Sequence, residues 1–214
     1  MSLIKFYRAD YSTAGITDAV LRELEAAAGH PLAERIDVAL RTGTRDPSFL
    51  AVNPNGFVPA LVLPDGEPLW ESVAITAYLG ETHGVAAGLW PAATEVVRRA
   101  QALKWIAWSN VNLPLHARAI GRVLHGEKEA EEGVQRVREA DAEKAKGELR
   151  TLLAVLDGGL EGREYLLKEG YSLADTHIWA FMSYVKMLGV DWESLGNLKA
   201  WVDRVGAREQ LKGL

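Results

Sequence analysis

Asn53-Pro54-Asn55-Gly56-Phe57-Val58-Pro59-Ala60-Leu61, followed ten residues later by Glu71-Ser72-Val73-Ala74-Ile75, decides the fold of this chain. The first block is a proline- and glycine-punctuated turn leading through Val58-Pro59 into the apolar strand Ala60-Leu61-Val62-Leu63. A cis bond before Pro59 is the expectation, because a bend there turns the Val58 N–H and C=O out of the sheet. They are then free to pair with a peptide-like ligand. Ser72 falls at an N-cap position, and the first amides of its helix suit a carboxylate. Two such devices so close together imply a site for a small peptide.

Outward from this block, Leu3 to Tyr7 reads as a first strand and Thr17 to Ala28 as a helix ended by Gly29. Arg35 to Val38 is a second strand, and Asp46 to Val52 holds a short helical turn. Ala60 to Leu63 and Glu67 to Trp70 form a hairpin around Pro64-Asp65-Gly66, and Ser72 to Thr82 is a helix. The order strand–helix–strand–helix–strand–strand–helix is that of a thioredoxin-like α/β domain. Beyond a linker at 83–92 the strand signals vanish. Thr94 to Val111 has helical spacing, with Pro114 marking a kink or break. His125 to Gly133 is a charged connection, and Val134 to Leu156 is an amphipathic helix ended by Gly158-Gly159. Ser172-Leu173-Ala174-Asp175 opens a helix towards Leu188 as a capping box, and a last helix carries Trp201 and Arg204. The expected domains are therefore 1–82 and an all-α helical bundle at 93–214.

Composition is that of an ordinary globule: 214 residues, 48% hydrophobic, 25% charged, net charge −5. The negative balance argues against nucleic acid as partner. Without an 18-residue apolar run or a basic-then-apolar start, the expectation is no membrane and a cytoplasmic location. Cysteine is absent, which excludes disulfides, thiolate metal sites and a catalytic thiol. The five histidines lack metal-ligand spacing and no glycine-rich phosphate loop occurs, so neither metal nor nucleotide is expected.

The run from Phe49-Leu50-Ala51-Val52-Asn53-Pro54 through Leu63, with Asp65-Gly66 and Glu71 onward, closely resembles the glutathione-binding half of cytosolic glutathione transferases. Bacterial beta-type members are the most similar, and the resemblance extends through the helical half. Those members place a cysteine just after the first strand. This chain departs from them there, so chemistry through a protein–glutathione mixed disulfide is excluded.

The resemblance implies glutathione as co-substrate, a small hydrophobic electrophile as second substrate, and a homodimer. A thiol with pKa about 8.5 is roughly 3% ionised at pH 7, and lowering that value by about two units is worth about 2.7 kcal/mol. A hydroxyl donor near the exit of the first strand can supply the shift. Ser12 falls at the cysteine position counted from the strand and Thr13 counted from the helix, while Tyr7 occupies the place of the tyrosine used in other classes. Ser12 is taken as the catalytic residue, with Thr13 and Tyr7 open.

The resemblance further implies that Glu71 and Ser72 hold the γ-glutamyl end and that the Val58 main chain pairs with the cysteinyl residue. Pro59 sets that geometry and Phe57 adds contact. Arg41 is expected to take the glycyl carboxylate, with Arg45 as competitor. Tyr11, Trp105, Trp108 and Asn112 are expected around the electrophile, although a pair of tryptophans at i and i+3 equally suits core or subunit packing. Asn110 or Asn112 is expected to reach the neighbouring subunit's glutathione. Three functions follow: conjugation to an electrophilic carbon; glutathione-dependent isomerisation, dehalogenation, ether cleavage or peroxide reduction; or a non-catalytic module that kept the fold.

Overall fold

The computed structural model describes residues 2–125 and 132–214. Its first half contains β1 (Ile4–Arg8), α1 (Ala14–Ala28), β2 (Ala33–Asp37), a 3-10 turn (Gly43–Arg45), α2 (Pro47–Leu50), β3 (Ala60–Val62), β4 (Pro68–Trp70) and α3 (Ser72–Leu79). The strands form one mixed sheet in the order β2-β1-β3-β4, with β1 parallel to β2 and the other pairs antiparallel. The parallel pair requires a crossover, which α1 supplies. Phe6 and Leu61 pair across the sheet and are fully buried with Val20, Leu21 and Leu24 of α1 and Ile75 and Leu79 of α3. Each such side chain contributes about 1.5–3 kcal/mol through burial. This is a thioredoxin-like α/β domain, as the order of sequence signals implies.

α3 does not run on to Thr82 as an α-helix; a π turn at Gly80–Gly84 ends it. The buried Trp90 ring packs onto this turn so closely that it leaves no room for a side chain. A Cβ at Gly80 would lie 2.5 Å from that ring, and one at Gly84 would lie 2.8 Å from the Trp90 Cβ. The connecting segment is thereby packed down, and Leu89 O accepts from Leu173 N.

The second half is all helical: α4 (Val96–His125), α5 (Glu132–Gly159), α6 (Leu173–Met187), α7 (Gly196–Gly206) and a 3-10 turn (Glu209–Leu211). Of the kink or break expected at Pro114, the break does not occur: α4 passes through it. A helix-interior proline costs about 3 kcal/mol. Ile106, Leu113, Ala117 and Ile120 lie fully buried on either side of it, against α5 and α6. That burial exceeds the cost, and propensity yields to packing. The charged connection expected at His125 to Gly133 falls largely on 126–131, outside the described residues.

α6 is the central helix, packed against both α1 and α4. The two halves are also tied by Glu23 of α1, which accepts from Arg208 Nε and Nη2 at 2.6 and 2.7 Å and from the Tyr171 hydroxyl at 2.9 Å. Among the described residues no helix is long and apolar enough to cross a membrane.

Candidate functional site

Strand register brings three loops to one end of the sheet. Tyr7 pairs with Ala60, and Ala60 with Trp70. The exit of β1, the entry to β3 and the exit of β4 therefore lie side by side, placing residues 9–13, Val58-Pro59 and Glu71-Ser72 together. The Val58-Pro59 bond is cis. Val58 N–H has no hydrogen bond among the described residues, and Val58 O accepts from the Thr13 hydroxyl at 3.2 Å. The turn leading in is organised by Asn53, a buried residue: its Nδ2 donates to Phe57 O at 2.7 Å and its Oδ1 accepts from Asn55 N at 3.1 Å.

The hydroxyls at the β1 exit have distinct surroundings. Ser12 Oγ donates to Ala9 O at 2.6 Å and accepts from Ala14 N at 3.2 Å, so it closes the turn into α1. Thr13 reaches across to Val58. The Tyr7 ring packs edge-on against Phe49, with 5.7 Å between centroids. Tyr11 is 92% exposed, with a left-handed backbone (φ 56°).

Ser72 is the first residue of α3 rather than its N-cap; Glu71 holds the cap position with φ 72° and ψ 117°. A non-glycine residue on that side of the map costs on the order of 1–3 kcal/mol and persists only where its surroundings impose it. Glu71→Gly removes this cost at about 0.5–1 kcal/mol of chain entropy. The variant is expected to unfold at higher urea, with a gain of about 1 kcal/mol; a loss of stability would show the backbone of Glu71 to be unstrained.

Ser72 Oγ accepts from Asn110 Nδ2 of α4 at 2.7 Å. Asn110 thus reaches the serine of its own chain. Asn110 Oδ1 lies 3.0 Å from His177 Nε2, and His177 Nδ1 lies 2.9 Å from Thr76 Oγ1. His177 is fully buried, and burial pushes its imidazole down to about 3, so it is neutral at physiological pH.

Of the cations, Arg45 is pinned to the turn, with Nη1 3.2 Å from Asn55 O and its guanidinium 5.5 Å from the centre of the Phe57 ring. Phe57 itself is 61% exposed. Arg41 is exposed, also has a left-handed backbone, and has no hydrogen bond or ion pair among the described residues. On α4, Trp105 is buried. Its ring lies so close to α5 that a Cβ at Gly159 would approach within 2.4 Å. Trp108 meets it edge-on and is half-buried, and Asn112 Nδ2 donates to Trp108 O at 2.7 Å. The structure therefore gathers Thr13, Val58, Pro59, Glu71 and Ser72, and holds Trp105 in the core of the helical half. Thr76 and His177 were missed by sequence reasoning, since a lone polar residue on an apolar helix carries no signal of its partner.

Two family models match the chain: the glutathione S-transferase N-terminal domain over residues 28–82 and the glutathione S-transferase C-terminal domain over 117–209. The glutathione S-transferase GstB of Escherichia coli is 32% identical over 174 residues, covering 78% of this chain and 77% of that protein. The disulfide-bond oxidoreductase YfcG of the same organism is 30% identical over 169 residues, covering 76% and 73%. A solved glutathione S-transferase from Pseudomonas fluorescens superposes with a TM-score of 0.79 at 29% identity, over 98% of this chain and 97% of that one. With the thioredoxin-like sheet, the helical second half and these matches together, the chain belongs to the glutathione S-transferase family.

Proposed function

We propose that the protein is a glutathione transferase that conjugates the glutathione thiolate to small hydrophobic electrophiles. The convergence of Thr13, Val58 and Glu71-Ser72 at one sheet end supports this reading more than any other observation. Val58 N–H and C=O pair with the cysteinyl residue. The Ser72 hydroxyl and amide take the γ-glutamyl carboxylate, aided by the positive end of α3, and Glu71 takes the ammonium. Arg41, without a hydrogen bond or ion pair among the described residues, takes the glycyl carboxylate; Arg45 is held by Asn55 and Phe57.

The thiolate needs a donor, and here the geometry favours Thr13 over Ser12. The Thr13 hydroxyl stands beside Val58, where the cysteinyl residue pairs, while the Ser12 proton is given to Ala9 O. When glutathione binds, Thr13 turns from Val58 O to the sulfur. Residues 1–82 carry this site and 93–214 the electrophile pocket, with Trp108 and Asn112 on its wall and Tyr11 at its rim. The exposed Val111 and Leu115, one turn apart on α4, offer an apolar face to a second copy of the chain. The location is cytoplasmic.

The similarity to a disulfide-bond oxidoreductase favours one second reading, reduction of a disulfide by glutathione. A chain without cysteine would need two glutathione molecules for this, one to form the mixed disulfide and one to release it as glutathione disulfide.

Calorimetric glutathione binding, aryl halide conjugation and reduction of a small disulfide, each on wild type, Ser12→Ala and Thr13→Ala, test these readings. Thr13→Ala is expected to keep glutathione binding and lose roughly 10²-fold in conjugation, the scale for losing one donor to developing or fixed negative charge. Loss confined to Ser12→Ala would return the role to Ser12. Disulfide reduction without conjugation would favour the second reading, and no glutathione binding would remove both.

A further inference from the structure

The hydrogen bonds behind Ser72 have a direction. Neutral His177 carries one ring proton, and an amide oxygen only accepts while an amide nitrogen only donates. With Asn110 Oδ1 facing His177, Nε2 carries the proton and Nδ1 accepts from the Thr76 hydroxyl. Asn110 Nδ2 then donates to Ser72 Oγ, whose own proton is left over. The opposite direction, with the amide turned and the tautomer exchanged, sends the Ser72 proton into Asn110 and leaves the Thr76 proton over instead. One proton is surplus either way. Thr76 is completely buried and has no other partner among the described residues, whereas Ser72 keeps 8% of its surface exposed at the end of the sheet. An unsatisfied buried donor is costly, so the first direction prevails.

We propose that Asn110 is a positioning residue that, backed by His177 and Thr76, fixes the Ser72 hydroxyl as a donor aimed into the site, so that the site selects an anionic oxygen there. This rests on the glutathione reading and names the group recognised: the γ-glutamyl carboxylate. Recognition by the sheet domain thereby depends on α4 and α6 of the helical half, which supply Asn110 and His177.

The test compares glutathione with its analogue carrying 4-aminobutyryl in place of γ-glutamyl, which lacks only that carboxylate. Both are titrated by calorimetry into wild type, Asn110→Ala, Asn110→Asp and Thr76→Val, with thermal melts alongside. Asn110→Asp is nearly isosteric but can only accept, so it claims the Ser72 proton. Both Asn110 variants are expected to bind glutathione at least tenfold more weakly and the analogue within about twofold of wild type. Thr76→Val, which removes the bias at the far end, is expected to show a severalfold loss for glutathione alone, and it carries the test if the Asn110 variants fail to fold. Equal losses for both ligands would reduce Asn110 to a structural contact and overturn the proposal, as would unchanged glutathione binding. Wild type that binds neither ligand would remove the glutathione reading itself, and this inference with it.

Discussion

Asp175→Ala is expected to lower the unfolding free energy by about 3–5 kcal/mol, a large part of the roughly 5–15 kcal/mol that holds a domain together. The carboxylate is fully buried at the start of α6. It accepts from Leu166 N at 2.9 Å, Ser172 N at 2.9 Å, Ser172 Oγ at 3.1 Å and Trp201 Nε1 at 2.9 Å. The donors come from the loop after α5, the start of α6 and the middle of α7, so one side chain joins three parts of the helical half. Burial pushes the carboxyl pKa upward, and the donated hydrogen bonds pull it back. Truncation strands four donors, each costing about 1–3 kcal/mol when left unpaired, less what water regains. Asp175→Asn keeps the volume but points an amide at donors, so most of the loss is expected there too. Urea unfolding followed by tryptophan fluorescence reads it directly. A loss below about 1 kcal/mol for either variant would mean that the site opens to water without disturbing α6 or α7.

The second large effect is acid destabilisation through His177. Its pKa in the folded chain is about 3, lowered from an ordinary 6.5 by burial. Between those values the unfolded chain takes up a proton that the folded chain refuses. Stability is therefore fully present above the ordinary value and falls as pH drops through the window. By pH 4.5 the contribution lost is roughly 3 kcal/mol. Other groups also titrate across this range, so the comparison must be between chains. His177→Asn is expected to be less stable near neutral pH, because Asn110 and Thr76 lose a partner. Its curve is also expected to be flatter, the two converging towards pH 4. Parallel curves would show that His177 takes up its proton in the folded state as readily as in the unfolded one.

Which features were legible in the sequence follows from the range of the forces involved. The turn at Asn53 to Gly56, the cis Val58-Pro59 bond and the hairpin around Asp65-Gly66 are local, set by residues a few positions apart whose backbone preferences are narrow. The Ser172-x-x-Asp175 box is local too, although nothing in it announced Leu166 or Trp201 as further donors. Pro114 was misleading because local propensity opposes the helix there, and the buried residues around it decide otherwise. Trp105 and Trp108 share a helix face by spacing alone; only the approach of Gly159 puts the first in the core and leaves the second half-exposed.

The candidate site divides along the same line. Glu71, Ser72 and Val58 stand out because a short motif must carry their backbone geometry, and that motif is contiguous. That Thr13 rather than Ser12 reaches Val58 is set by one bond across 45 residues of chain. The direction of the Ser72 hydroxyl is decided by Asn110, His177 and Thr76, joined across separations of 38, 67 and 101 residues. The sequence by itself determined the thioredoxin-like order of elements, the helical second half and the cis-proline loop, since each is written in preferences that act over a few residues. The tertiary structure alone decided which partners the Ser12, Thr13 and Ser72 hydroxyls meet and which tryptophan is buried. Those outcomes depend on partners that only packing brings within reach.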